Sequence, residues 1–320
     1  MRLSRILFVF AILVLFASAG FRGSSVKAEE SAKGFLGRWD LTLKAPDREW
    51  PSWLELREEG GKLQAQMVGR WGNARPLPKA LISNGHLTFV SPKEEEDAKA
   101  DMVFEGELRS GQLSGTVNGP DGSAWTWTGR RAPGLERASA PKWGKPIPLF
   151  NGKDLTGWHM SPANGAKTWK VEDGALVTPG NGPELIQDEK FEDFKLHVEF
   201  NCAENSNSGI YLRGRYEVQV ETDSIDEPPS HHMGGVYGFL APNPELPRKP
   251  GTWQTYDITL IGRRLTVVQN GQSIISNQEI PGITGGALDS REELPGPIYL
   301  QGSEKGRVAY RSIVVTPAVN

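Results

Sequence analysis

The chain carries a single cysteine, Cys202, in 320 residues. One thiol excludes an intramolecular disulfide framework and any Cys-rich metal site. It has no basic block either. Its 36 Lys and Arg are spread along the chain against 39 Asp and Glu, for a formal net charge of −3, so the electrostatic footprint of a nucleic-acid binder is missing. No Gly-rich phosphate loop, His-Glu-x-x-His pair or nucleophile elbow occurs. One long apolar run stands out, residues 6–17, and it is too short to cross the ~30 Å of a bilayer core. Arg2 and Arg5 precede this run, and the small-residue triplets Ala17-Ser18-Ala19 and Val26-Lys27-Ala28 follow it. The pattern predicts a secretory signal peptide over residues 1–28, with no cysteine after it to carry a lipid. Its removal takes Arg2, Arg5, Arg22 and Lys27 and leaves 32 Lys and Arg against 39 Asp and Glu. The expected product is a secreted or periplasmic acidic protein with no stable membrane insertion after cleavage.

What the chain has in abundance is turn formers and aromatic side chains: 37 Gly, 23 Pro, 10 Trp, 12 Phe and 6 Tyr. Residues 34–131 read as short period-two runs, such as Arg38 to Leu43, Leu63 to Val68 and Met102 to Leu108. Gly60-Gly61, Asn84-Gly85, Ser110-Gly111 and Asp121-Gly122 punctuate them. Alternation with turn signals every 8–12 residues predicts a small antiparallel β barrel or meander. Gly37-Arg38-Trp39 at its start and Arg130 at its end resemble the lipocalin-like pairing of a Trp with a late Arg. Residues 132–145 are Pro-bearing and read as a linker. From residue 146 to 317 the pattern is β again, with Asn270-Gly271 as a hairpin turn. About 170 residues in a dozen strands predict an all-β fold whose C-terminal part is a concanavalin-like jelly-roll sandwich.

Residues 208–220 carry the most chemistry. Read as one long strand, they place Tyr211, Arg213, Arg215, Glu217 and Gln219 on one face, with Leu212, Tyr216, Val218 and Val220 on the core face. The upstream run puts Leu196, Val198 and Phe200 inward and His197 and Glu199 outward. If the two strands are neighbours, His197 and Glu199 join Glu217 and the arginines on one surface. A solvated face with Arg–Glu ion pairs explains the alternation equally well. Carboxylates beside arginines, however, have their pKa values pushed apart, as acid–base chemistry requires. A polar loop follows with His231, His232 and Tyr237, suited to the mouth of a cleft.

These residues resemble the 3-keto-disaccharide hydrolase domain family. The matching pieces are Leu149-Phe150-Asn151-Gly152-Lys153-Asp154-Leu155-Thr156-Gly157-Trp158, Trp169 to Leu176, Phe194 to Glu199, Asn207 to Val220, Gly235-Val236-Tyr237-Gly238, Trp253 to Ile258 and Pro297-Ile298-Tyr299-Leu300-Gln301. The resemblance covers a little over half of the chain and leaves out the N-terminal domain. It implies a concanavalin-like jelly roll that cleaves glycosides bearing a ketone at C3. That ketone acidifies the C2 proton, so the C1–O bond breaks by elimination and water then adds. Such chemistry asks for a base at C2–H, an electrophile for the enolate and an acid for the leaving oxygen. On this reading Glu199, Glu217 and Arg213 are the catalytic candidates. Substrate contacts fall to His197, Arg215, Gln219, Tyr211, Tyr237, His232 and Gln301. A divalent cation would serve in place of an arginine. One departure stands out: where the family often continues Leu-Gln-Asp-His-Gly, this chain has Leu300-Gln301-Gly302-Ser303-Glu304, leaving His231, His232 or Glu304 as substitutes.

Two other readings use the same fold. A non-catalytic carbohydrate-binding module would use Trp158, Trp169, Tyr211 and Tyr237 for stacking. A retaining glucanase would carry two carboxylates on a Glu-x-Asp-x-x-Glu strand, and Glu217-Val218-Gln219-Val220-Glu221 lacks its middle Asp. In each case the expected partner is an oligosaccharide or other glycoside.

Overall fold

A computed structural model describes residues 32–163, 168–222, 226–303 and 305–319. The expected signal peptide and Glu304 lie outside the described residues. Among those described, no helix is long and apolar enough to cross a membrane.

Nine strands form the first sheet: β1 (Gly37–Lys44), β2 (Glu49–Glu59), β3 (Lys62–Val68), β4 (Arg75–Pro76), β5 (Lys79–Ser83), β6 (His86–Ser91), β7 (Met102–Arg109), β8 (Gln112–Asn118) and β9 (Ala124–Arg131). All pairs are antiparallel, in the order β4-β3-β2-β1-β9-β8-β7-β6-β5. This is a meander whose first and last strands meet. Alternate residues supply its core, with Trp39, Leu41, Leu54, Leu56, Phe89, Phe104 and Trp127 buried. The turn signals do what their composition requires. Asn84-Gly85 and Ser110-Gly111 take left-handed φ at both positions (52° and 79°; 50° and 79°), which matches the twist of tight hairpins. The late arginine over Trp39 is Arg131, with its guanidinium carbon 3.9 Å from the ring centroid. The expected Arg130 instead reaches Glu293, at 3.2 Å.

The remaining strands are β10 (Lys142–Trp143), β11 (Ile147–Pro148), β12 (Trp158–Ser161), β13 (Lys170–Glu172), β14 (Ala175–Thr178), β15 (Glu184–Gln187), β16 (Phe194–Cys202), β17 (Asn207–Leu212), β18 (Tyr216–Glu221), β19 (Gln254–Ile261), β20 (Arg264–Gln269), β21 (Gln272–Glu279), β22 (Tyr299–Leu300) and β23 (Val308–Val319). They build two facing sheets. One runs β13-β14-β23-β16-β19-β20-β21, with β10 and β11 also paired to β23, and the other runs β12-β15-β22-β17-β18. Leu196, Val198 and Phe200 of one sheet pack with Ile210, Leu212, Tyr216, Val218 and Val220 of the other in a single apolar core. Cys202 belongs to this core, and burial pushes its thiol up to about 12, so it serves as a small apolar filler.

Residues 208–220 form a hairpin rather than one strand. Arg213 (φ +53°) and Gly214 (φ +69°) make the turn, closed by the Arg215 N–H on Leu212 O at 3.0 Å. Arg213 tolerates the left-handed region because its guanidinium is anchored. Nη2 donates to Tyr216 Oη (2.9 Å) and to Gly262 O (3.0 Å).

The meander packs onto the sandwich. Trp53, Val68 and Ala74 join the sandwich core, and Trp53 meets Phe239 edge-on at 5.3 Å. Arg38 Nη1 reaches Glu279 at 2.6 Å, and Thr42 Oγ1 lies 2.9 Å from Ser290 Oγ. Two buried carboxyls meet at this junction, Asp40 from β1 and Glu292 from the segment after β21. Tyr216 donates to Glu292 Oε1 at 2.6 Å, and Arg263 lies 3.2 Å from Oε2. Burial, reinforced by the Glu292 charge, pushes the Asp40 carboxyl well above the usual carboxylate range.

A carboxyl whose pKa is raised on folding favours the folded chain in its protonated form. That contribution is complete below the unfolded value, near 3.8, and is lost as pH rises. Asp40→Asn keeps the shape and removes the charge. In thermal melts at pH 5 and pH 9 the wild type is expected to lose stability toward pH 9. The variant is expected to lose less, exceeding the wild type at pH 9 by about 3 °C or more, on a scale of about 2–4 °C per kcal/mol. An unchanged pH dependence in the variant would refute this assignment.

Candidate functional site

The site grows from a cross-strand pair. In the β17–β18 hairpin Tyr211 stands opposite Glu217, and Gly209 stands opposite Gln219. β22 adds Tyr299 beside Tyr211, and Gln301 N–H donates to Gly209 O at 2.9 Å. On the other edge Val218 bridges Val236, which brings Tyr237 opposite Glu217. Tyr237 N–H donates to Glu217 O at 3.2 Å. Directly opposed residues share a face. The side of this sheet turned away from the core therefore presents two rows, Tyr237-Glu217-Tyr211-Tyr299 and Gln219-Gly209-Gln301.

Gly209 is the low point of these rows. A Cβ there would overlap the Glu217 carboxylate, which lies across the glycine. Tyr211 Oη is 2.8 Å from Glu217 Oε2 and 2.7 Å from Gly285 O. Tyr299 stacks on Tyr211 with centroids 4.0 Å apart, and its hydroxyl donates to Gly286 O at 2.5 Å. Burial drives both phenols well above their ordinary pKa of 10, so they remain hydrogen-bond donors. Gln219 Oε1 and Gln301 Oε1 are buried and have no hydrogen-bond partner among the described residues. Two unsatisfied amide oxygens near a buried carboxyl make a polar cluster whose hydrogen bonding a ligand with hydroxyl groups would complete.

The segments that cover this cluster come from both domains. Thr284 Oγ1 accepts from Glu217 N–H at 3.0 Å. Gly285 is pressed against Gly72 of the meander, and a Cβ at 285 would overlap Gly72 O. Gly238, just past Tyr237, packs in the same way on Asn73 and Ala74. The residues that cover Glu217 are thus held in place from the N-terminal side.

Of the residues expected from sequence, Glu217, Tyr211, Gln219, Gln301 and Tyr237 come together here. Others do not. His197 and Glu199 lie on β16, which pairs with β19 and β23 in the opposite sheet. Their outward side chains face away from the whole sandwich. His197 Nδ1 is 2.7 Å from Asp257, and Glu199 is 2.6 Å from Arg311. The hydrogen bond from Arg311 holds the Glu199 carboxyl below its usual range. Alternation had assigned these residues to the right face of their own strand, but their strand belongs to the other sheet.

Arg213 holds the hairpin turn through Nη2, while its Nε and Nη1 are buried without a hydrogen-bond partner among the described residues. Arg215 braces the loop, with Nε to Asp289 at 2.9 Å and Nη1 to Leu294 O at 2.9 Å. Trp158 and Trp169 are core residues whose indoles donate to Leu149 O and Pro183 O, so neither offers a stacking surface. At 302 a side chain would overlap Pro183 O and Gly182 O, so the local backbone excludes the Asp of the family pattern. His232 turns away, with Nε2 2.9 Å from Glu227 O and Nδ1 3.0 Å from Glu245. His231 is the one that stacks on Tyr237, with centroids 4.4 Å apart. Among the described residues no three His, Cys, Asp or Glu side chains converge as metal ligands.

Comparison with known proteins matches residues 145–316 to the profile of the 3-keto-alpha-glucoside-1,2-lyase-like domain. A curated 3-keto-disaccharide hydrolase of Bacteroides thetaiotaomicron is 28% identical over 90 residues, covering 25% of this chain and 31% of that protein. The chain thus spans about a third of that relative's length. A crystal structure from Parabacteroides distasonis, provisionally described as a glycosyl hydrolase, is 28% identical over 56% of this chain and 92% of its own, with a TM-score of 0.46. The endo-β-1,3(4)-glucanase SCLam is 11% identical over 57% of this chain and 95% of its own, with a TM-score of 0.34.

Gly209→Ala tests the geometry without removing a polar group. The added methyl must displace the Glu217 carboxylate, and overpacking of this kind costs about 1–3 kcal/mol. A denaturant melt is expected to show that loss. A variant as stable as the wild type would mean that Glu217 does not lie across Gly209.

Proposed function

The chain belongs to the 3-keto-alpha-glucoside-1,2-lyase-like domain family through residues 145–316, and from that premise we propose that it cleaves the C1–O bond of 3-keto-glycosides at the polar cluster around Gly209. The observation that carries this reading is the Glu217 carboxyl, 3% exposed, bonded to Tyr211 and flanked by the unsatisfied amides of Gln219 and Gln301. A glycoside-acting enzyme on a jelly roll needs a proton-transfer group at the sugar, and the burial of Glu217 beside Tyr211 supports that role for it.

The C3 ketone makes the C2 proton acidic enough for a carboxylate to remove. In the first step Glu217 takes that proton, the electron pair forms the C1=C2 bond, and the C1–O pair leaves with the glycosidic oxygen, which takes a proton from water. Negative charge develops on the C3 oxygen. The Gln219 and Gln301 amides are the polar groups that face it, each able to turn an N–H toward the enolate. In the second step water adds across C1=C2 and C2 regains its proton. Export of the protein, read from residues 1–28, would place this activity outside the cytoplasm, on glycosides oxidised at C3.

The assay is release of the leaving group from a 3-keto-glycoside, with the plain glycoside as control. Glu217→Gln is expected to slow release by about 10²–10⁴-fold. Glu199→Gln, on the outer face of the other sheet, is expected to keep wild-type turnover. Full activity in Glu217→Gln would overturn the reading, and binding without turnover by the wild type would assign the domain to carbohydrate binding alone.

A further inference from the structure

His231 has the geometry of a base that no step above uses. It ends a short turn, Pro229–His231, that two prolines pre-set, with its N–H on Pro228 O at 2.8 Å. Its Nδ1 lies 3.2 Å from Glu227 Oε2. An ionised carboxylate accepts only, so Nδ1 carries the proton and Nε2 is left as a bare lone pair. The side chain is 10% exposed, and Nε2 is buried with no hydrogen-bond partner among the described residues. A buried acceptor in that condition is costly unless a ligand or water supplies the donor. The ring stacks on Tyr237, which stands opposite Glu217 and bonds to its backbone.

We propose that Glu227 and His231 form a dyad that activates the hydrating water, so that this chain carries cleavage through to the hydrated sugar instead of stopping at the unsaturated ketone. The inference rests on the reading of Glu217 given above. His231 Nε2 takes one proton from water as the water oxygen bonds to C1. The C1=C2 pair takes at C2 the proton that Glu217 removed during elimination. Glu217 returns to the carboxylate, and the imidazolium, held by Glu227, passes its proton to solvent. Burial lowers the His231 pKa from its ordinary 6.5, the adjacent His232 adds to that, and Glu227 opposes it. The ring is therefore neutral at pH 7 and able to accept. Glu227, His232 and the stacked Tyr237 are the titratable groups that face it in the described residues.

The test supplies the purified 1,2-unsaturated 3-ketone to the full chain and follows its hydration from pH 5 to pH 8, alongside leaving-group release from the intact 3-keto-glycoside. Wild-type hydration should fall on the acid side as His231 is protonated. His231→Phe keeps a ring on Tyr237 and loses the nitrogen. It should hydrate about 100-fold more slowly, lose the acid limb, and raise the ratio of unsaturated to hydrated product. Glu227→Gln sits on the surface and keeps the fold. It should move the acid limb to lower pH, because the charge that favours imidazolium is gone. Wild-type hydration in His231→Phe, an unmoved limb in Glu227→Gln, or no hydration by the wild type would each overturn the dyad. Loss of release in Glu217→Gln would still support the broader reading, and intact release in that variant would defeat the broader reading instead.

Discussion

A missing side chain organises this site. Because residue 209 is glycine, the Glu217 carboxylate lies across the middle strand of a three-strand platform. From that position it meets the Tyr211 hydroxyl, and Tyr211 stacks on Tyr299. Gln219 and Gln301 stand on either side of the gap. A methyl group at that point would lift the carboxylate off the sheet and separate it from the groups that orient it. The proposed chemistry thus depends on a packing constraint before it depends on any charge.

The second constraint is the seat of the N-terminal meander. Its loop around Gly72 and Asn73 presses on Gly285 and Gly238, the residues that border Glu217 and Tyr237. Close backbone approach through glycines fixes these segments with little freedom. A buried carboxyl pair, Asp40 and Glu292, and the surface pairs Arg38–Glu279 and Arg130–Glu293 fasten the same junction. Arg213, Tyr216 and Arg263 extend that network into the sandwich. The domain that lies outside the family match therefore holds the segments that cover the candidate site inside it.

Much of this was legible in the sequence. Period-two patterning identifies an all-β chain, and Asn-Gly and Ser-Gly pairs mark real left-handed turns at 84–85, 110–111 and 270–271. Glu217, Tyr211, Gln219, Gln301 and Tyr237 were legible because strand alternation survives a two-residue turn. The turn itself was not legible. Arg213-Gly214 has the same left-handed geometry as Asn-Gly, but arginine is held there by bonds to Tyr216 and Gly262 O that only the folded chain supplies. Alternation also tells which side of a strand a residue occupies, never which sheet the strand joins, and this is why His197 and Glu199 were grouped with Glu217. Between His231 and His232 the sequence has no preference. The short turn after Pro228 makes the choice, and Glu227, four residues earlier, becomes readable as a partner only once that turn is known.

The proposed reaction requires a 3-keto sugar over Gly209 with its C2 beside Glu217. The most direct measurement is a crystal structure of the full chain with an uncleavable 3-keto-glycoside analogue. The sugar is expected between Gln219 and Gln301, with C2 within reach of the Glu217 carboxylate and the leaving group toward Tyr237. A sugar bound at His197 and Glu199, or on the meander away from Glu217, would contradict it.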